Sequence, residues 1–85
     1  MTEQENYLEG HRNCGIKVGD QVRVTRKAED NENGWGDFWV EDMDAEVGKI
    51  LIVVEDYKKY GFACQENLEE NALRWGYPYF VLEKI

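Results

Sequence analysis

The 85-residue chain is predicted to be all-β: a small five-stranded barrel with one long acidic loop and a short helical turn. Three observations carry that expectation. Short runs rich in β-branched and aromatic residues recur through residues 16–85, separated by Gly-, Asn- and Asp-containing breaks. No stretch sustains the apolar spacing of a long helix. One run, "KILIVVED" at residues 49–56, is apolar on both faces, and a chain this small has few ways other than a barrel to cover such a strand.

The elements follow in order. Residues 1–15 are polar, carry Glu3, Glu5 and Glu9, and offer only Tyr7 and Leu8 as apolar contacts, so they read as a flexible N-terminal tail. The domain proper, residues 16–85, opens with a turn at Val18-Gly19-Asp20. After it Val22 and Val24 alternate with Gln21, Arg23 and Thr25, the two-residue period of a half-buried strand. Asp30, Asn31, Asn33, Gly34 and Gly36 then disfavour both helix and strand, giving a loop over residues 28–46. A helical turn is expected around Glu41 to Glu46, with Met43 and Val47 pointing inward. The second strand presents Ile50, Ile52 and Val54 to one side and Leu51 and Val53 to the other. Tyr60, Phe62 and Cys64 make the third strand, and Leu73, Trp75 and Tyr77 the fourth. Pro78 sits in a tight turn before "FVLEKI", a short edge strand.

Composition narrows the function. A formal charge of 10 − 18 = −8 repels phosphate, so duplex nucleic acid and anionic lipid are poor direct partners, whereas a protein with a basic surface is a favoured one. No apolar run approaches the roughly 20 residues that span a bilayer. The first residues lack the basic start and apolar segment of a signal peptide. With two cysteines, free thiols in a reducing cytoplasm are expected ahead of a Cys14–Cys64 disulfide. The species is expected to be a monomer or weak dimer.

Catalysis and metal binding find little in the residues. The chain has no serine, His11 is its one histidine, and Cys64 alternates with aromatics as a small buried hydrophobe does. No cofactor is expected. Asp42, Asp44 and Glu46 begin like a calcium loop, but Val47 and Val53 occupy the positions where Gly and Glu are required. His11, Cys14 and Cys64 offer three zinc-type donors without the paired spacing of a zinc site. Arg23, Arg26, Lys27, Lys58 and Lys59 form a possible basic patch beside Tyr57 and Tyr60, a pattern suited to single strands, but set in an acidic chain.

The acidic loop is the strongest candidate. Between residues 29 and 46 lie eight carboxylates, Glu29, Asp30, Glu32, Asp37, Glu41, Asp42, Asp44 and Glu46, and no basic residue. Trp39, followed by Val40 and Met43, is expected in the core. Trp35, between two glycines, is expected outside as an apolar anchor. The candidate binding set is therefore Trp35, Asp37, Phe38, Glu41, Asp42 and Asp44, aromatic contact combined with charge that speeds encounter. The competing use of the same charges is imitation of nucleic-acid phosphates in an enzyme's groove. Duplex DNA carries one charge per about 1.7 Å of axis, so a mimic needs its carboxylates in a line. A structural or self-associating small barrel is the third possibility.

The blocks "VGDQVRVTRK", "WVEDMDAEVGK" and "YPYFVLEKI" resemble short uncharacterised proteins of bacteria and their phages, and the order of elements looks like the Src-homology-3-like small barrel. The resemblance covers residues 16–85, with Tyr77 standing where a phenylalanine is usual. It implies the fold and a bacterial or viral setting. The aromatic opening that eukaryotic members use for proline-rich ligands is missing from "VRVTRK", which argues against that mode of binding.

Overall fold

A computed structural model of the chain describes residues 2–66 and 75–85. Five strands form: β1 (Gln21–Val24), β2 (Ile50–Asp56), β3 (Phe62–Gln65), β4 (Trp75–Tyr77) and β5 (Leu82–Lys84). They build one antiparallel sheet in the order β4-β3-β2-β1-β5, so the last strand returns beside the first. Among the described residues β4 and β5 do not pair with each other, and the sheet is open where a closed barrel was expected. Leu73, assigned to the fourth strand from sequence, lies outside the described residues.

The period-two pattern of the first strand is realised directly. Val22 and Val24 are fully buried, while Gln21 and Arg23 face out. The expectation for β2 needs correcting. Leu51 and Val53 are buried, but Ile50 is exposed and Ile52 and Val54 are only half-buried, so the strand is not equally covered on its two faces. The strand buried along its whole length is β3, from Phe62 to Gln65. A register shift between Val53 and Glu55 marks a bulge where β2 pairs with β3.

Residues 3–13, expected within a flexible tail, form helix α1 (Glu3–Asn13). Thr2 caps it: its hydroxyl accepts the Glu5 amide at 3.1 Å, and the Glu5 carboxylate accepts the Thr2 amide at 3.2 Å. Gly15 takes a left-handed φ of +84° just past its end. Tyr7 and His11, one turn apart, are both buried. The His11 ring stacks on Phe62 at 4.1 Å, and Tyr7 meets Tyr79 and Phe80 at 5.3 and 6.2 Å between ring centres.

The loop between β1 and β2 contains two 3₁₀ turns, Glu32–Gly34 and Glu41–Glu46, the second where a helical turn was expected. Met43 is buried as expected, whereas Val47 is exposed. The loop supplies Ala28, Trp35, Trp39 and Met43 to the same core as Val22, Val24, Leu51, Val53, Phe62, Tyr77 and Val81. Burying an indole removes roughly 150–250 Å² from water, worth on the order of 4–6 kcal/mol at about 25 cal/mol per Å² before ordering costs. Two such side chains offset part of the entropy lost when the loop is fixed.

Candidate binding surface on the acidic loop

Much of the loop's polar chemistry holds the loop itself. Asn31, in a left-handed conformation at φ 55°, donates its backbone N–H and its side-chain amide to the Asp37 carbonyl, both at 3.0 Å. The Asp30 carboxylate accepts the Trp39 amide at 3.0 Å, and the Asp44 carboxylate accepts the Trp39 indole N–H at 2.6 Å. Arg26 forks onto both oxygens of Glu32 at 3.1 and 2.7 Å. That guanidinium, with the Glu29 amide, holds the Glu32 carboxyl below the usual carboxylate range. Glu46 lies 3.8 Å from the Lys49 ammonium.

Two further bonds fasten the loop to the turn between β2 and β3. The Trp35 indole N–H donates to the Tyr60 carbonyl at 2.9 Å, and the Gly36 amide donates to the Lys59 carbonyl at 2.7 Å. Gly36 is needed there, since a Cβ would press on the Lys59 carbonyl oxygen. On the other side Gly34, at φ 87°, lies against the backbone of Glu3, leaving no room for a side chain.

The six candidate residues divide accordingly. Trp35 is 1% exposed, so its expected role as an exposed anchor is overturned: the indole packs into the core and spends its one donor on Tyr60. Phe38 is 58% exposed and takes over as the loop's outward-facing aromatic. Asp37 is half-buried, with one oxygen accepting the Phe38 amide at 2.9 Å. Glu41 and Asp42 are exposed, and neither side chain has a partner among the described residues. Asp44 is exposed as well as bonded to Trp39. Trp39 is buried as the sequence implied.

The sequence did not join Asp37 to Tyr57, Tyr60, Trp75 and Gly76. In the structure these five line one cleft of about 480 Å³ beside the fastened loop and turn. The tyrosines flank "KK" in a short turn; the sequence put both beside the basic patch and Tyr60 also in the third strand, whereas Tyr60 ends the turn ahead of β3. That patch is dispersed by other engagements. Arg23 pairs with Glu83 at 3.3 Å, Arg26 with Glu32, and the Lys59 ammonium lies 5.1 Å over the Tyr60 ring.

The zinc-type donors are also engaged. His11 Nε2 lies 2.8 Å from an Asp56 carboxylate oxygen, the Cys14 thiol donates to the His11 carbonyl at 3.1 Å, and Cys64 is buried in the core. Both cysteines are free. Among the described residues no three His, Cys, Asp or Glu side chains are grouped to hold a metal ion. No described helix is long and apolar enough to cross a membrane. No family model, curated protein or solved structure matches this chain.

Proposed function

We propose that this chain is a non-enzymatic binding domain that takes a basic protein surface onto the outer side of its acidic loop. Phe38 is the apolar contact, and Asp37, Glu41, Asp42 and Asp44 supply the charge. The observation that carries this is Phe38 itself, a large ring 58% exposed on a loop fixed by hydrogen bonds to the rest of the chain. A loop already ordered before contact pays little further entropy on binding. Carboxylates around an apolar contact steer a cationic partner and raise its association rate.

The strand order, with the last strand returning beside the first, supports placing the domain with the Src-homology-3-like small barrels as a strongly open member. The resemblance of its sequence blocks supports a bacterial or phage source, and two free thiols suit a cytoplasmic setting. Phosphate mimicry is less well supported. Glu32 and Glu46 are paired with Arg26 and Lys49, and the carboxylates left without a cation lie around one exposed ring rather than in a line that follows a duplex.

The test is affinity capture from bacterial lysate with the wild type and with Phe38→Ala, eluted with rising salt and identified by mass spectrometry. A partner held by the wild type and lost by Phe38→Ala, with Glu41→Gln/Asp42→Asn lowering its association rate, is the expected result. Release of a nucleic-acid enzyme by added DNA would favour mimicry instead. Equal capture by Phe38→Ala would overturn the role of the loop.

A further inference from the structure

We infer that the cleft lined by Asp37, Tyr57, Tyr60, Trp75 and Gly76 is a subsite for one cationic side chain, best an arginine, of the basic partner. This rests on the proposed binding of a basic surface and specifies the group that is read. Three aromatic residues and one acidic residue, Tyr57, Tyr60, Trp75 and Asp37, line the same space. The faces of such rings carry partial negative charge, so they attract a cation that the carboxylate also pairs. One of these rings already accepts a cation from the chain itself, the Lys59 ammonium lying 5.1 Å over the Tyr60 ring.

The cleft is held open before any ligand arrives. Trp35 and Gly36 bond the loop that carries Asp37 to the turn that carries Tyr60. Asn31 clamps the Asp37 carbonyl from two donors, which fixes the origin of its side chain. Only one Asp37 carboxylate oxygen is bonded among the described residues, to the Phe38 amide. Gly76 approaches the Tyr60 carbonyl so closely that a Cβ would collide with it, so this wall of the cleft carries no side chain that fills it. The space, about 480 Å³, is a shallow depression open to solvent, which suits a side chain laid in from a partner's surface. A flat, weakly hydrated guanidinium stacks on aromatic faces and pairs with carboxylate better than a compact ammonium does. The −8 formal charge of the chain favours the same sign of ligand.

The experiment is a nuclear magnetic resonance titration of the isotope-labelled full chain with a blocked glycine-arginine-glycine tripeptide. The matching citrulline peptide is the neutral isostere. The Trp75 indole N–H and Gly76 amide signals are expected to shift with arginine, and citrulline is expected to bind about tenfold more weakly. Asp37→Asn keeps an acceptor for the Phe38 amide and is expected to weaken the arginine peptide by about tenfold while leaving the rest of the spectrum in place. Equal binding of citrulline would overturn the cationic assignment. Shifts confined to Phe38, Glu41 and Asp42, or no shifts at all, would overturn the cleft as the subsite. The loop's own role falls separately, only if Phe38→Ala still captures the partner.

Discussion

The Trp35 indole N–H donates to the Tyr60 carbonyl at 2.9 Å, joining the middle of the acidic loop to a turn 25 residues further along the chain. Trp35→Ala removes both this bond and a buried indole, and is expected to cost about 3–5 kcal/mol. Trp35→Phe keeps most of the packing but strands the carbonyl, at about 1–3 kcal/mol. Urea unfolding followed by circular dichroism measures both. A loss below about 1 kcal/mol for the alanine variant would contradict the burial of Trp35.

Phe38 and Met43 lie on the same loop with opposite fates. Phe38→Ser is expected to leave stability within about 0.5 kcal/mol, whereas Met43→Ala is expected to cost about 2–5 kcal/mol. The pair, compared by thermal unfolding, separates the loop's outward face from its buried one. A destabilised Phe38→Ser would mean that this ring belongs to the core.

Asp56 gives a pH dependence. Burial works against its ionisation, yet the Lys58 amide and the His11 ring outweigh that and hold its carboxyl below the ordinary value. A carboxyl lowered in the folded state stabilises above its unfolded value of about 3.9, and the contribution is lost as pH falls through the folded value. Asp56→Asn should therefore lose about 1 kcal/mol at pH 7, a figure reduced for solvent screening, and should narrow its gap to the wild type as pH falls through the lowered folded value. Unfolding curves from neutral to acid pH test this. Parallel curves throughout would remove the pair from the stability account.

The two thiols should differ in reactivity. Burial pushes the Cys64 thiol up to about 12, and the side chain lies inside the core. Cys14 is only half-buried. With a disulfide reagent at pH 8, one thiol should react promptly and the other only as the domain unfolds. Cys14→Ala should abolish the prompt phase. Two prompt phases in the wild type would place Cys64 at the surface.

The sheet was largely legible because each strand carried its own local signal. Val22 and Val24 alternated with polar residues, and Val18-Gly19-Asp20 and Pro78 marked turns at the ends of runs. The 3₁₀ turn at Glu41–Glu46 was legible for the same reason. Trp35 was misplaced because its burial depends on a partner 25 residues away, which no local period reveals. The helix was missed for a different reason. Tyr7 and His11 are too few to make an apolar stripe, although Thr2 with Glu5 is a capping pair and Gly15 a stop signal. The cleft drew its residues from the loop, a turn and β4, so only the folded chain assembles it.

Helix α1 also decides how well the remaining chain stays dispersed. Tyr7 covers Tyr79 and Phe80, and His11 covers Phe62. A version shortened to begin at Gly15 would uncover the faces of these three rings that Tyr7 and His11 now pack against, and exposed aromatic surface drives self-association. The segment that looks most expendable by composition thus acts as a guard on solubility. Any shortened form of the protein would need to keep the helix together with its Thr2 cap to hold that guard in place.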